Sequence, residues 1–594
     1  MLKFTRFMDK NKQSLKNIFL EAVEHYKKRD FKTAELFCYK ILSIDKNNVD
    51  SISLLANIFA VNNDYVKAKE FLLRAIKIQP NNTTILNNLG TASKELNEPQ
   101  DAISFYEKVL EIDSNHTNAN YNLGLIFYKL KDAKKAKNYL EKTVVIQPNY
   151  ALAHFNLGNL QKEFKELKKA ELSYLKAIEL RPSFPNAHNN LGLVYSEMGK
   201  SDEAISSYNR AVEISPNHAG AYNNLGRIFT ETGEFKKAIK AHEAAIKIEP
   251  ENLMHFFYLC ELDKNFLDKN LKNKIEKILN NKPHQVNIIF GNFLLSRYVR
   301  NEKKYDLEFS HLVKAHKYYF NSKKEKFELG VKYIFNDVLQ ISNFAEFDSE
   351  KISTSDQVKP IFIVGVPRSG STLVEKVIGS GKKNISMGEE ISVFENFINK
   401  KILEKNSLNL GNMESFRNEI INIYNEKGLI KEKNNFIFTD KSLNNFFYLE
   451  LISKIFPGVK IINCKRNIIS SIISIFQNNL TDLAWAHDLE NIFKYFDNYF
   501  QIIDKFEKNN PNKVYNLDFE KFTSEPDAES KKLMSFCDLP WDKKCLEFYK
   551  RKDIFSKTAS RQQIRQAIYK NTAERYMPYK SLLNKYGNKY SWFN

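Results

Sequence analysis

"PIFIVGVPRSGSTLVEKVIG" fills residues 360–379. Its first part, PIFIV, is a short apolar run with β-branched residues and predicts a buried strand. The run ends at Gly365, crosses a Pro-Arg-Ser-Gly-Ser turn and enters a stretch that predicts a helix. A strand, a glycine-rich turn and a helix N-terminus together form a phosphate-binding loop, because backbone N–H groups and the helix dipole face the anion. Gly365, Ser369, Gly370, Ser371 and Thr372 supply the turn, and Arg368 lies within it. Nucleotide hydrolases carry a lysine before the last Ser/Thr of such a loop. Here Ser371 occupies that place, and no downstream strand ends in a clear metal-binding aspartate. The loop is expected to hold one phosphate of a nucleotide without metal-assisted hydrolysis, and no metal is expected.

Downstream, NFIFTDK (435–441), KIINCKR (460–466) and KVYNLDF (513–519) are further short apolar runs, separated by helical stretches. That alternation predicts a parallel sheet with helices on both faces. The expected boundary of this α/β domain is 356–594.

Upstream the chain repeats itself. Leu-Gly pairs stand at 89–90, 123–124, 157–158, 191–192 and 225–226, a constant step of 34 residues. Ala34, Ala68, Ala102, Ala136, Ala170, Ala204 and Ala238 keep the same step, and Pro80, Pro148, Pro182, Pro216 and Pro250 close units. Small residues let two helices approach closely, and proline stops the second helix. This period and pattern resemble the tetratricopeptide repeat. About seven units fit residues 13–250, and such units stack into an all-α superhelix with a concave surface. Residues 251–355 lose the phase but stay helical in character, as a bridge or cap; GNFLLSRYVRNEKKYDLEFSHLVKAHKYY within it looks like one degenerate repeat.

Asn88, Asn122, Asn156, Asn190 and Asn224 each precede a Leu-Gly pair. They resemble the asparagine ladder in the repeats of O-linked N-acetylglucosamine transferases, which holds an extended peptide. An amide offers both donor and acceptor and pairs with any peptide unit. A protein or peptide partner in the repeat groove is the implied expectation.

About a hundred residues after the first loop, KIINCKRNIISSIISIF (460–476) puts Arg466 at a strand end and Ser474 in the following helix. PRSGST, then a strand, an Arg and a Ser eight residues on, resembles the sulfotransferases. Gly388-Glu389-Glu390 and the Asp440-Lys441 strand end look most like the tyrosylprotein-sulfotransferase branch, and closest to bacterial proteins that fuse tetratricopeptide repeats to such a domain. The resemblance implies a P-loop-type α/β fold and 3′-phosphoadenylyl sulfate as donor. Arg368, Ser369, Gly370, Ser371 and Thr372 would hold its 5′-phosphosulfate, and Arg466 with Ser474 its 3′-phosphate. Arg368 and Lys441 would offset charge on the leaving phosphate. The base is the second Glu of Gly-Glu-Glu, which names Glu390; counting from the loop arginine names Glu389. His487 stands as the next candidate. TASRQQIRQAIYKNTAERY (558–576) resembles the segment that closes over the nucleotide, with Ser560 and Arg575 on it. Two departures are Asn467, where the family often has an acidic residue, and Phe519-Glu520, where it has Tyr-Glu.

The wider chain agrees with this reading. Its 594 residues predict roughly two to four domains. A net charge of +19 fits either an anion-binding protein or a Lys- and Asn-rich composition spread over solvated helices, and does not by itself call for nucleic acid. Five scattered cysteines without CxxC spacing argue against a disulfide framework or zinc site and fit a reducing compartment. The first residues do not read as a signal peptide, and no window reaches the ~18 apolar residues of a membrane span. A cytoplasmic enzyme is expected. The alternative is a repeat scaffold with a weak or inactive sulfotransferase-like domain. The acceptor stays open between peptide tyrosine, sugar, lipid and small phenol.

Overall fold

The computed structural model describes residues 2–340, 358–381, 385–405, 412–430, 437–551, 563–568 and 573–593. The chain forms two compact units, Met1–Ala221 and Tyr222–Asn594. Among the described residues no helix is long and apolar enough to cross a membrane.

The first unit is all helix. After Leu2–Lys27 and Phe31–Ile44 the helices come in pairs: Val49–Val61 with Tyr65–Ile78, Thr83–Glu95 with Pro99–Ile112, Thr117–Lys129 with Ala133–Ile146, Ala151–Glu163 with Leu167–Leu180, and Pro185–Glu197 with Ser201–Ile214. In these pairs the first helix has 13 residues and the second 14. The Leu-Gly glycine is where the partner helix comes closest. A Cβ at Gly90, Gly158 or Gly192 would lie 2.7, 2.9 or 2.6 Å from the ring of Tyr106, Tyr174 or Tyr208. The tyrosine rings fill the space a side chain would need, and all three are buried. The second helices stop two residues before Pro80, Pro148, Pro182 and Pro216, since the residue preceding proline is pushed out of helical geometry.

A second period lies in the turns. Asn63, Asn97, Lys131, Lys165 and Gly199 have φ of 61°, 61°, 64°, 60° and 80°. Each is the left-handed residue that reverses the chain between the two helices of a pair.

In the second unit a five-stranded parallel sheet has the order β2-β3-β1-β4-β5. The strands are β1 (Lys359–Val364), β2 (Ser386–Met387), β3 (Ile437–Asp440), β4 (Lys460–Lys465) and β5 (Val514–Asp518). Alternate residues of β1 enter opposite cores. Phe362 and Val364 join one cluster with Phe438 and Ile461, while Ile361 and Ile363 join another with Ile462 and Leu517. A sheet buried on both faces needs such continuous apolar runs. The helix after β1 (Ser371–Gly379) packs on one face through Val374 and Val377, and the helix after β4 (Ile468–Phe476) on the other through Ile472 and Ile473. The connections diverge between β1 and β4, and a crevice at the carboxyl ends of such strands is where ligands bind in open α/β sheets.

The helices from Leu253 onward do not stand apart from this domain. Phe257, Phe293, Leu312 and Phe335 share one core with Phe362, Phe438, Ile472 and Phe493. The stretch that looks like a degenerate repeat falls in Gln285–Asn301 and Tyr305–Ser322, longer helices of 17 and 18 residues, joined through Lys303 at φ 59°.

Candidate functional site

The loop after β1 is built as its sequence requires. Arg368 has φ 69° and Gly370 φ 100°, two left-handed residues in three that fold the chain into a concave turn. A Cβ at Gly370 would collide with the Phe519 ring, so the position also needs glycine for space. The Ser369 N–H closes the turn onto the Val366 carbonyl at 3.1 Å. Gly370, at the N-cap, offers no side chain to cap the helix that starts at Ser371. Its first N–H groups lack intrahelical acceptors. The Ser369 hydroxyl is fully buried and has no hydrogen-bond partner among the described residues. An orphan hydroxyl in a turn of this shape fits an oxyanion. Ser371 is half-buried and Thr372 buried on the first turn.

The loop after β1 and the helix after β4 meet. The Arg368 Nε donates to Ser474 Oγ at 3.0 Å, and Arg466 Nη1 donates to the Arg368 carbonyl at 2.6 Å. The Arg466 guanidinium lies 5.1 Å from the centre of the Phe519 ring. Phe519 thus supports both Arg466 and the turn at Gly370. Asn467 caps its helix, accepting from Ser470 N–H at 2.9 Å, and its own N–H meets the Glu520 carboxylate at 3.2 Å. The amide fills the capping role, and Glu520 supplies the negative charge from β5's end.

Beside this, at the end of β3, two adjacent glutamates take different lysines. Lys441 Nζ donates to Glu390 at 3.0 Å; the lysine side chain is buried and the glutamate half-exposed. Lys376 Nζ, itself buried, donates to Glu389 at 2.6 Å. Burial pulls the Lys441 pKa down, but Glu390, Glu375 and Glu389 outweigh it and leave the pKa above its ordinary value. Lys441 is charged at neutral pH. Burial raises the Glu389 carboxyl, with Lys376 opposing. Asp440 is fully buried and satisfied by Ser442, Asn445 and Tyr424, so it holds the strand end rather than facing a ligand.

His487 has both ring nitrogens occupied. Its Nδ1 faces Nδ1 of His316 at 2.9 Å and its Nε2 the Leu480 carbonyl at 3.1 Å. Burial lowers it to about 2, and it has no nitrogen to offer an acceptor. Ser560 lies outside the described residues, as does the Arg575 side chain. Among the described residues no cluster of three or more His, Cys, Asp or Glu could hold a metal.

In the repeats, Asn88 donates to Asn57 at 3.3 Å, Asn156 to the Tyr121 hydroxyl at 3.0 Å and Asn190 to Asn159 at 2.8 Å, while Asn122 accepts from Lys94 at 3.1 Å. Every partner sits on the first helix of the preceding pair. The ladder therefore runs along one face made of first helices. Asn224 lies on Ala219–Thr232 and is half-buried like the others.

Sequence reasoning missed Glu375, Lys376 and Thr439, which hold the Gly-Glu-Glu turn, and the platform role of Phe519. The adjacent charged residues of VEKVIG, inside an apolar helix, were the available signal.

Comparison with known proteins follows the same division. Residues 360–543 match the model of the sulfotransferase family. Residues 95–154, 165–199 and 184–250 match tetratricopeptide-repeat models, and 27–108 the model of anaphase-promoting complex, cyclosome, subunit 3. The chain carries tetratricopeptide repeats and a sulfotransferase-family domain. An uncharacterized protein of Aquifex aeolicus (strain VF5) is 28% identical over 330 residues, 52% of this chain and 42% of that protein. The chain thus spans less than half the length of this curated relative. Among solved structures, MamA is 27% identical over 27% of this chain and 95% of its own, with a TM-score of 0.26. YrrB, described as a TPR protein with an unusual peptide-binding site, is 26% identical over 31% of this chain and 95% of its own, with a TM-score of 0.29.

Proposed function

We propose that the protein is a sulfotransferase that moves a sulfuryl group from 3′-phosphoadenylyl sulfate to a hydroxyl acceptor, and that its repeats recruit a protein or peptide. The observation that carries this reading is the hydrogen bond of Arg368 to Ser474, which joins the loop after β1 to the helix after β4. The family match over 360–543 supports it. Ser369, Gly370, Ser371 and Thr372 would take the 5′-phosphosulfate, and Arg466 with Ser474 the 3′-phosphate. Ser560 and Arg575 would close over the nucleotide.

Glu390 acts as base. It accepts the acceptor's proton as the acceptor oxygen forms its bond to sulfur. The bond from sulfur to the bridging phosphate oxygen breaks, and its electron pair stays on that oxygen. Lys441 and Arg368 offset the charge that grows there. In the free protein Glu390 and Lys441 hold each other, so neither charge is left unpaired before substrates arrive. The half-exposure of Glu390 fits a group that must meet an incoming hydroxyl. Asn88, Asn122, Asn156, Asn190 and Asn224 would hold the backbone of an extended peptide, and the tyrosylprotein branch makes peptide tyrosine the first acceptor to try. The setting is a reducing, cytoplasmic one.

The test is incubation with radiolabelled donor and whole-cell extract, followed by separation into protein, carbohydrate and lipid. Label in one fraction, lost in Lys441→Ala, supports transfer and names the acceptor class. No transfer with intact donor binding defeats it.

A further inference from the structure

The turn that carries Glu390 is held from beneath by groups on the helix that begins at the phosphate loop. Glu375 is fully buried. Its Oε1 accepts from the Glu389 N–H at 2.9 Å and from the Thr439 hydroxyl at 2.8 Å. Its neighbour Lys376, 1% exposed, binds the Glu389 carboxylate at 2.6 Å and lies 3.9 Å from the other Glu375 oxygen. From the β3 side, the Thr439 carbonyl accepts from Gly388 N–H at 2.9 Å, and Lys441 N–H donates to the Glu389 carbonyl at 3.0 Å. The N–H, the carbonyl and the carboxylate of Glu389 are all bound. Its backbone is left-handed, at φ 51°, a conformation a glutamate keeps only when its surroundings over-determine it.

Such a turn does not need two catalytic carboxylates. We infer that Glu375, Lys376 and Glu389 form a positioning clamp that fixes the turn in its left-handed form and thereby aims Glu390 at Lys441. Glu389 is spent on holding the turn, which leaves Glu390 alone to face the acceptor. The clamp also ties two jobs to one rigid element. The helix Ser371–Gly379 offers its first turn to the donor's phosphate and, one turn further on, fixes the base. Donor and base are registered against each other through a single helix.

Buried charges of this kind are costly unless paired and hydrogen-bonded. A surface pair at this place would serve structure equally well. Placing Glu375 and Lys376 within an apolar helix makes sense where orientation of a partner must be held tightly, because a displacement of about 1 Å in a reacting group can cost on the order of 10²-fold in rate.

This inference rests on the sulfotransferase reading for its catalytic meaning, but the clamp can be judged without it. Hydrogen exchange of the full-length protein, read by mass spectrometry on peptides covering 386–391, reports the Glu389 N–H directly. Glu375→Ala should remove protection there, and Glu375→Gln, which keeps an accepting oxygen, should restore it. Adenosine 3′,5′-bisphosphate, the probe for the donor site, should raise the melting temperature of both variants as it does the parent's. Transfer from labelled donor into whole-cell extract should fall roughly 10²-fold in Glu375→Ala and return to within about tenfold of the parent in Glu375→Gln. If Glu375→Ala cannot be purified folded, the Gln variant and Lys376→Met carry the same comparison. Unchanged exchange in Glu375→Ala or Lys376→Met overturns the clamp. So does equal loss of bisphosphate binding and transfer, which would make Glu375 a support of the phosphate loop. Absence of bisphosphate binding in the parent defeats the sulfotransferase reading and leaves the exchange result standing.

Discussion

Arg368 and Ser474 are 106 residues apart in sequence and share a 3.0 Å hydrogen bond. The contact joins the loop of β1 to the helix after β4, across the point where the sheet's connections diverge. Two segments that are separate in the chain become one surface through it.

That surface should prefer a ligand with two separated phosphate groups and no metal. Adenosine 3′,5′-bisphosphate should raise the melting temperature, and ATP with magnesium should do so much less. Stabilisation by a ligand at 100-fold excess over its Kd amounts to about 2.7 kcal/mol. A larger shift with ATP–magnesium in differential scanning fluorimetry would contradict the proposed donor.

Arg466 and Lys441 should fail differently. Arg466 would meet a phosphate that is present throughout the reaction, so Arg466→Ala should raise KM and weaken bisphosphate binding. Lys441 would act on charge that exists only in the transition state, so Lys441→Ala should lower kcat with donor affinity nearly intact. The same rise in KM for both, with kcat unchanged, would remove the distinction.

Replacing Glu390 by Gln should lower turnover roughly 10²–10⁴-fold while the donor still binds. Glu389→Gln keeps shape and a hydrogen-bonding oxygen for Lys376, and should cost far less. Isothermal titration with the bisphosphate, beside labelled-donor turnover, separates the two. Near-normal turnover in Glu390→Gln would point away from this carboxylate.

Acid should destabilise the second unit through His316. Burial is the main cause that lowers its pKa to about 4, opposed by its bond to the Phe476 carbonyl. An unfolded histidine titrates near 6.5. Below that pH the unfolded chain takes up a proton that the folded chain refuses, so stability is whole above about 6.5 and drains away as pH falls toward 4. His487, held lower still by burial and its neighbour, acts in the same direction. Melting temperature should fall across this window, with a shallower slope in His316→Leu whatever its absolute stability. A flat profile in the parent between pH 6.5 and 4 would contradict the burial.

The repeats were legible because their constraint falls on residue size. A Cβ at Gly192 would collide with the Tyr208 ring, so the Leu-Gly pairs mark the period plainly. The turn between helices was not legible, although it repeats as strictly. Its left-handed residue is Asn63 in one copy, Lys131 in another and Gly199 in a third, and a solvated turn tolerates all three. The strand, turn and helix from Gly365 to Thr372 could be read because backbone geometry dictates the residue types of such a turn. Glu375 and Lys376 are easily passed over, although they interrupt an apolar helix, since charged neighbours on a helix ordinarily face water. Which of Glu389 and Glu390 turns toward Lys441 was equally hidden: it depends on the φ of one residue and on a lysine thirteen positions earlier.

The shared core of the second unit decides where this protein can be divided. A fragment cut at 356, where the α/β pattern begins, would strip Phe257, Phe293, Leu312 and Phe335 from Phe362, Phe438 and Ile472, and would lose His316 from beneath Phe476. Its sheet would be left with a bare apolar flank that invites self-association. A fragment that starts ahead of Leu253 keeps that flank covered. The helices from Leu253 onward are, in practical terms, part of the sheet's own hydrophobic interior, and anyone seeking the smallest piece that folds must carry them along.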